Sequence, residues 1–313
     1  MGKDTIQMKD GRALVLTSRL GCGAHGTVYQ ASLKREDLGE MPIAVKLGRG
    51  SKSNEKEIAF SREYQLLRAC AHPSIINVLE WFGAEDMNQK SAKHIVARGS
   101  AIGFELAACS MKDMLDMAAR GGASTPAHGN ASTPVSSSLA FSWAADVGSA
   151  LIHLHDQQIM HRDVKPGNVL LFWNPASAVG AGYMQTKAKL ADFGLARVMP
   201  TTDDPKKRRL TDKQHESAML RRSHKAQRPM AKAVCTAWYR APEVFAHTGG
   251  INTLEQYDDI SAEVHLCTYG LQVDTWAFGS VVYELLKGRT MARASSGVGM
   301  VICWIDVFGS AVR

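Results

Sequence analysis

The periodicity of apolar residues changes near Ser110, and this change constrains the fold more than any other feature. Before it, short β-branched or alternating runs predict strands, and one helical stretch interrupts them from Glu55 to Ala71. After it, helical spacing of apolar residues predicts helices around 143–154 and over 273–286. We therefore expect an α+β fold with a β-rich first part and a mainly helical second part. The predicted strands are 13–19, 27–33, 42–47, 76–83 and 101–106.

Polar segments without periodicity interrupt the second part and are predicted to be insertions, at 121–138, 174–186, 203–232 and 247–270. Segment 203–232 contains ten Lys or Arg and four acidic residues, so it carries most of the formal net charge of +7. It is interpreted as a solvated loop, as a nuclear import signal at PKKRR, or as a docking site for an acidic partner or nucleic acid. It contains no aromatic residue for base stacking, which disfavours nucleic acid as the partner.

Cysteine spacing and hydropathy exclude several classes of protein. The six cysteines are scattered without a C-x-x-C pair, which argues against a disulfide framework or a zinc site and fits a reducing compartment. The first residues lack the apolar segment of a signal peptide, and no apolar run is long enough to span a bilayer. We expect an intracellular protein, cytoplasmic and/or nuclear, without a membrane partner.

The sequence LGCGAHGTVY at 20–29 contains a G-x-G-x-x-G pattern, which occurs in dinucleotide sites, triphosphate sites and plain turns. A dinucleotide fingerprint opens a helix, whose N-terminus receives the pyrophosphate. Here the following residues are β-branched and aromatic, and a strand-like run precedes the glycines. The glycines are therefore predicted to lie at the tip of a hairpin, which argues against a dinucleotide fold.

A second pattern, HRDVKPGNVLL at 161–171, has the spacing H-R-D-x-K-x-x-N. Asp-Phe-Gly follows at 192–194 and Ala-Pro-Glu at 241–243, while Ala-Val-Lys at 44–46 ends a predicted strand downstream of the glycines. These residues, in this order, resemble the signature set of the eukaryotic protein kinases of the Ser/Thr type. The W-Y-R before Ala241 is similar to the group that contains the cyclin-dependent and mitogen-activated kinases.

The resemblance implies a two-lobed fold, with the small lobe and hinge over 14–107 and the large lobe over 108–289. Residues 290–313 match none of the helices that complete the large lobe in that family, so the lobe is expected to be incomplete. The helix over 273–286 and Glu243 would then lack neighbours, and the isolated chain would be marginally stable. A truncated gene product or a non-catalytic, ATP-binding scaffold of kinase type is the alternative to an active enzyme.

The implied activity is transfer of the ATP γ-phosphate to Ser/Thr hydroxyls with Mg²⁺ as cofactor. Lys46 would contact the phosphates, and the family's register gives it Glu63 as partner, with Glu57 as the rival carboxylate. Asp163 would accept the proton of the substrate hydroxyl, and Lys165 would contact the γ-phosphate.

The resemblance also assigns Asn168 and Asp192 to Mg²⁺, whose preferred ligands are oxygen atoms. Thr236 would hydrogen-bond near the catalytic loop, and Asp274 would brace the backbone of that loop. Phe104 would lie at the back of the adenine pocket, and residues 105–107 would form the hinge. The resemblance implies that the nucleotide contacts are Leu20, Gly21, Cys22, Gly23, Ala24, His25, Gly26, Val28, Ala44, Lys46, Phe104, Glu105, Ala107 and Leu170.

The sequence also bears on the choice of substrate and on regulation by phosphorylation. The W-Y-R resemblance implies protein substrates with proline after the phosphoacceptor. The family's activating phosphosite falls near Ala231, which cannot be phosphorylated. Thr211, Ser217 and Ser223 in the basic insertion are the alternatives, and spacing favours none of them.

Overall fold

The computed structural model describes residues 4–23, 26–35, 39–48, 54–87, 99–120, 135–173, 186–199, 237–247, 270–294 and 297–309. The chain divides into two compact units. The first comprises Met1–Met114, Ala145–Ala150 and Pro166–Gly194, and the remaining residues form the second. The predicted insertion 203–232 lies outside the described residues.

The first unit is built on an antiparallel six-stranded sheet with the order β1-β2-β3-β4-β6-β5. All five predicted strands are present in it, with ends shifted by a few residues, because their alternating apolar side chains cover one core. The strands are β1 Asp4–Gln7, β2 Ala13–Gly23, β3 Gly26–Arg35, β4 Gly39–Gly48, β5 Val78–Phe82 and β6 Ala101–Phe104.

The two outer strands of this sheet meet at one end. Met8, next to β1, forms an antiparallel bridge with Met87, beyond β5, and the N–H of Lys9 donates to the carbonyl of Asp86 at 2.9 Å. Arg12 also forms an ion pair with Glu80 on β5.

The core inside this sheet includes Ile6, Leu14, Leu16, Leu33, Ile43, Val45, Phe82 and Met87.

Helix α1, Asn54–Ala69, lies between β4 and β5 and confirms the helix predicted over 55–71 to within two residues. Leu66 and Leu67 are buried, and so is Phe60 nearly two turns earlier. The first unit also contains a smaller antiparallel sheet, in the order β10-β9-β7, formed by β7 Cys109–Ser110, β9 Val169–Trp173 and β10 Thr186–Leu190.

Five further helices are described: α2 Met111–Arg120, α3 Ser137–Asp156, α4 Pro242–His247, α5 Gln272–Lys287 and α6 Gly297–Phe308. Strands β8 Ile159–Met160 and β11 Arg197–Val198 pair antiparallel in the second unit. On α3 the predicted apolar face is buried, and Ser136 caps the helix by accepting the N–H of Leu139. The α+β class is therefore confirmed. None of the helices in the described ranges is both long and apolar enough to cross a bilayer.

Helix α6 lies in the segment that the sequence left unmatched. Met300 and Trp304 are one turn apart on it and are buried in a cluster that includes Trp276 and Tyr283 of α5. The expectation that α5 loses its apolar neighbours is therefore wrong for this part of its surface. The reason is the spacing of the tail's apolar residues, which gives α6 one face that covers α5.

Candidate active site

The glycine pattern lies where β2 turns into β3, and the predicted hairpin is confirmed. In the pairing, Gly21 faces Val28 and Gly23 faces Gly26, while Ala24 and His25 between them lie outside the described residues. A Cβ at Gly26 would stand 2.5 Å from the carbonyl oxygen of Leu47, so this strand contact requires glycine.

The other two glycines of the pattern border open space. A Cβ added at Gly21 or Gly23 would meet no described atom within 4 Å. The exposed Cys22 between them accepts a hydrogen bond from the Thr27 hydroxyl at 3.7 Å. Leu20, which precedes the pattern, is also exposed. The hairpin thus presents backbone rather than packed side chains at this end.

Lys46 on β4 is buried and contacts two carboxylates. Its Nζ donates to Glu63 Oε1 at 2.6 Å and to Asp192 Oδ1 at 2.9 Å. Burial alone lowers the pKa of the Lys46 ammonium, but the attraction of Glu63 and Asp192 outweighs burial and raises the pKa above its ordinary value. The ammonium therefore stays charged at physiological pH.

Of the two carboxylates on α1 that the sequence offered, Glu63 reaches Lys46. Glu57, the rival, instead accepts a hydrogen bond from the Ser100 hydroxyl. The two residues are six positions apart, so a helix of 3.6 residues per turn places them about 120° apart around its axis and nearly two turns apart along it. The register that favoured Glu63 thus agrees with the geometry.

The predicted adenine-binding residues are spread over β4, β6 and the segment that follows β6. Ala44 pairs directly with Phe104, and both are buried. Glu105 is fixed by its carboxylate, whose Oε1 accepts the N–H of Asn77 at 2.8 Å and the ammonium of Lys189 at 2.6 Å.

Three further residues that were predicted to contact the nucleotide are half-buried. Val28 on β3 pairs with Lys46, and Leu170 on β9 pairs with Ser110. Ala107 follows β6 in the segment predicted as the hinge. Partial burial leaves each of these side chains able to contact a bound molecule.

Asn168 and Asp192, the two predicted metal ligands, lie on two segments joined by a backbone hydrogen bond. Asn168 ends a short 3₁₀ turn, and its backbone carbonyl accepts the N–H of Ala191 at 2.8 Å. Asp192 comes directly after Ala191 and has a left-handed backbone with φ of 62°. This backbone hydrogen bond ties together the two segments that carry the oxygen atoms.

In the second unit, Asp163 is buried and accepts a hydrogen bond from Lys165 Nζ at 2.7 Å. The backbone N–H of Asp163 donates to Nδ1 of the fully buried His161 at 3.3 Å. The buried His161 therefore orders the loop through this hydrogen bond. Thr236 lies outside the described residues.

Asp274 at the start of α5 braces this loop. Its Oδ2 accepts the N–H of His161 at 2.7 Å and its Oδ1 accepts the N–H of Arg162 at 2.8 Å. Arg162 has a left-handed φ of 66°, which costs free energy in a residue with a Cβ. Two charge-assisted hydrogen bonds, donated by the backbone N–H groups of His161 and Arg162 to this one buried carboxylate, hold the loop in this shape.

Sequence reasoning missed two contributors to these arrangements. His155 on α3 donates from Nε2 to Asp274 Oδ2 at 3.1 Å. Trp81 on β5 contacts α1 through two aromatic side chains four positions apart. The second could have been suspected from Phe60 and Tyr64, because an aromatic pair at that spacing marks one helix face.

Comparison with known proteins agrees with the geometry. A family model described as "Protein kinase domain" matches residues 14–303. The chain is 27% identical to Sporulation protein kinase mde3 of Schizosaccharomyces pombe, covering 87% of this chain and 37% of that protein. It is 25% identical to Cyclin-dependent kinase-like 4 of Mus musculus, covering 94% and 63%. It is 24% identical to Mitogen-activated protein kinase 15 of Caenorhabditis elegans, covering 91% and 46%. The chain thus spans less than two thirds of each of these three relatives.

Proposed function

This chain belongs to the protein kinase family, and on that premise we propose that it transfers the terminal phosphoryl group of ATP to serine and threonine hydroxyls of proteins. The observation that carries the proposal is the double contact of Lys46, at 2.6 Å to Glu63 and 2.9 Å to Asp192. Phosphoryl transfer spreads negative charge over the transferred oxygens, so catalysis depends on positioned positive charge. An ammonium that two carboxylates already hold in place needs no reorganisation when that charge develops.

The first unit fits a nucleoside triphosphate at three places. The backbone at Gly21 and Gly23 borders open space, so its N–H groups can approach phosphate oxygens. Lys46 supplies a fixed cation, and the paired residues Ala44 and Phe104 supply apolar surface for a purine. Bound ATP would supply the γ-phosphoryl group, with ADP as the leaving group.

The same unit fits a magnesium ion. Asn168 and Asp192 offer amide and carboxylate oxygens, which are the hard donors that Mg²⁺ prefers. The hydrogen bond from Ala191 to Asn168 holds the two donors on neighbouring segments. Two protein ligands suffice, because Mg²⁺ keeps waters and takes substrate phosphates to complete its octahedron. A magnesium ion held by Asn168 and Asp192 would supply positive charge to neutralise the phosphates.

The second unit carries the group proposed to act on the acceptor hydroxyl. The Asp163 carboxylate would take the hydroxyl proton as the oxygen–phosphorus bond forms. Lys165, 2.7 Å from Asp163, places a positive charge beside that carboxylate. Asp274 contributes indirectly by bracing the backbone of His161 and Arg162.

The choice of substrates and partners is a further part of the proposal. The W-Y-R sequence at 238–240 and the relatives named as cyclin-dependent kinase-like and mitogen-activated kinases support protein substrates with proline after the phosphoacceptor. An acidic partner or an import receptor is proposed at 203–232 because of its concentrated positive charge.

The test is phosphorylation of a Ser-Pro peptide by the purified chain with Mg-ATP. Lys46→Met, Asp163→Asn and Asp192→Asn should each lower kcat by a factor of about 100 or more, because each removes a charge placed for the transition state. Lys34→Met is the matched control, since this exposed lysine lies on β3 of the same sheet and its ion pair among the described residues is with the exposed Glu40.

Wild-type turnover in Lys46→Met or Asp192→Asn would refute the assignment. Within the described ranges, no specific contact favours the alternative of a non-catalytic scaffold. It would be supported if the wild-type chain bound Mg-ATP but transferred no phosphate to any Ser or Thr peptide.

A further inference from the structure

Helix α1 is attached to the large sheet of the first unit by a row of side chains along one face. Glu57 accepts the Ser100 hydroxyl hydrogen bond, and Glu63 binds Lys46. Between and beside them lie Phe60 and Tyr64. Phe60 follows Glu57 by three residues, and Glu63 and Tyr64 follow Phe60 by three and four residues, so all four lie on one side of the helix.

The two aromatic residues of this face contact a single side chain of the sheet. The ring centroid of Trp81 on β5 is 5.8 Å from that of Phe60 and 5.2 Å from that of Tyr64. The rings are inclined by 46° and 48°. Both separations lie in the range over which aromatic pairs attract beyond their buried area. Trp81 is therefore held between two successive turns of α1.

Phe60 also reaches the end of β4. A Cβ added at Gly48, two residues after Lys46, would lie 3.4 Å from the Phe60 ring. Phe60 therefore packs between the strand that carries Lys46 and the Trp81 ring. Its contacts set the distance between α1 and that strand, which is the distance that the ion pair spans.

Glu63 lies within this aromatic contact, directly before Tyr64 and three residues after Phe60. Its carboxylate can stay 2.6 Å from Lys46 only while α1 keeps its rotation and its distance from the sheet. A rotation that moved Glu63 away would also separate Tyr64 and Phe60 from Trp81. The ion pair and the aromatic contacts therefore form or break together.

We propose that Trp81 is a positioning residue, which holds α1 so that Glu63 keeps Lys46 in place for phosphoryl transfer. The proposal rests on the proposed function for its effect on catalysis, but its structural part is independent of that function.

The test compares three variants of the whole chain. Trp81→Ala removes both ring contacts, Trp81→Phe retains an aromatic ring, and Leu79→Ala is the control on the same strand, where Leu79 is 37% exposed. For each variant, kcat and KM for ATP are measured at a temperature at which a thermal melt shows it to be fully folded. Trp81→Ala should lower kcat/KM for ATP about tenfold, as expected for two lost aromatic contacts. Trp81→Phe should restore most of the activity, and Leu79→Ala should match the wild type.

A double-mutant cycle separates positioning from simple stability. In a Glu63→Gln background, Trp81→Ala should change kcat/KM by less than about twofold, because both substitutions act through the same contact. A full tenfold loss in that background would overturn the proposal. So would a lower Tm for Trp81→Ala with unchanged kcat/KM.

Hydrogen exchange of the α1 amides distinguishes this proposal from the proposed function. Residues 54–69 should exchange faster in Trp81→Ala than in Leu79→Ala or Trp81→Phe. If the wild-type chain transfers no phosphate but shows this pattern, the kinase activity fails and the positioning role stands. Equal exchange in all variants would refute the positioning role.

Discussion

Replacement of Trp304 by alanine tests whether the end of the chain is part of the folded second unit. Trp304 is 3% exposed and meets Trp276 edge to face, with ring centroids 5.7 Å apart and an angle of 84°. Its neighbours in the cluster include Met291 and Met300. Removing a buried tryptophan leaves a large cavity, so the free energy of unfolding should fall by about 3–5 kcal/mol.

Ile305→Ala is the matched control, because it is the next residue of α6 and its side chain is 40% exposed. It changes the helix propensity and removes an apolar side chain, but opens no cavity. The expected loss is about 1 kcal/mol or less. In a thermal melt followed by near-ultraviolet circular dichroism, Trp304→Ala should lower the Tm by roughly 10 °C and Ile305→Ala by a few degrees.

Equal, small shifts for the two variants would refute the packing of α6 on α5. The original expectation of an incomplete, marginally stable lobe would then regain its support. A large shift for Trp304→Ala alone would establish that this segment, which the family model matches up to residue 303, stabilises the unit.

Two further outcomes follow from the site and from the cysteines. Asp274→Asn keeps the size of the side chain but leaves one acceptor oxygen for the N–H groups of His161 and Arg162. The free energy of unfolding, measured by urea titration, should therefore fall by about 2–3 kcal/mol. The substitution should also change kcat more than KM for ATP. Burial raises the pKa of the Cys70 thiol to about 12, so at pH 8 it stays protonated as well as inaccessible. Iodoacetamide should therefore label the exposed Cys22 of the native chain and reach Cys70 only after unfolding, as read by peptide mass spectrometry; equal labelling rates would contradict the burial of Cys70.

Elements with long, regular patterns were predictable from the sequence. The apolar face of α3 and the helix over 272–287 follow from local spacing, and burial then agrees with that spacing. The choice of Glu63 over Glu57 came from a family register, not from periodicity, because both residues lie on the inner part of α1. Only the three-dimensional distance to Lys46 separates them.

Elements that depend on distant partners could not be predicted. Strand β1 has a single buried apolar residue, Ile6, and exists because it pairs with β2 and continues into the Met8–Met87 bridge. Helix α6 is rich in glycine and β-branched residues, which favour a helix only weakly. Its burial against α5 supplies the stabilisation that local propensity lacks.

The meeting of β1 with the segment after β5 has a consequence for self-association. An open sheet exposes backbone N–H and C=O groups along its outer strands, and these groups can recruit a strand from another molecule. The bridge between Met8 and Met87 and the ion pair between Arg12 and Glu80 bring the two outer strands together at one end. We therefore expect residues 4–12 to hinder edge-to-edge aggregation, because a chain beginning at β2 would expose the unpaired backbone of Ala13–Leu16, which β1 covers.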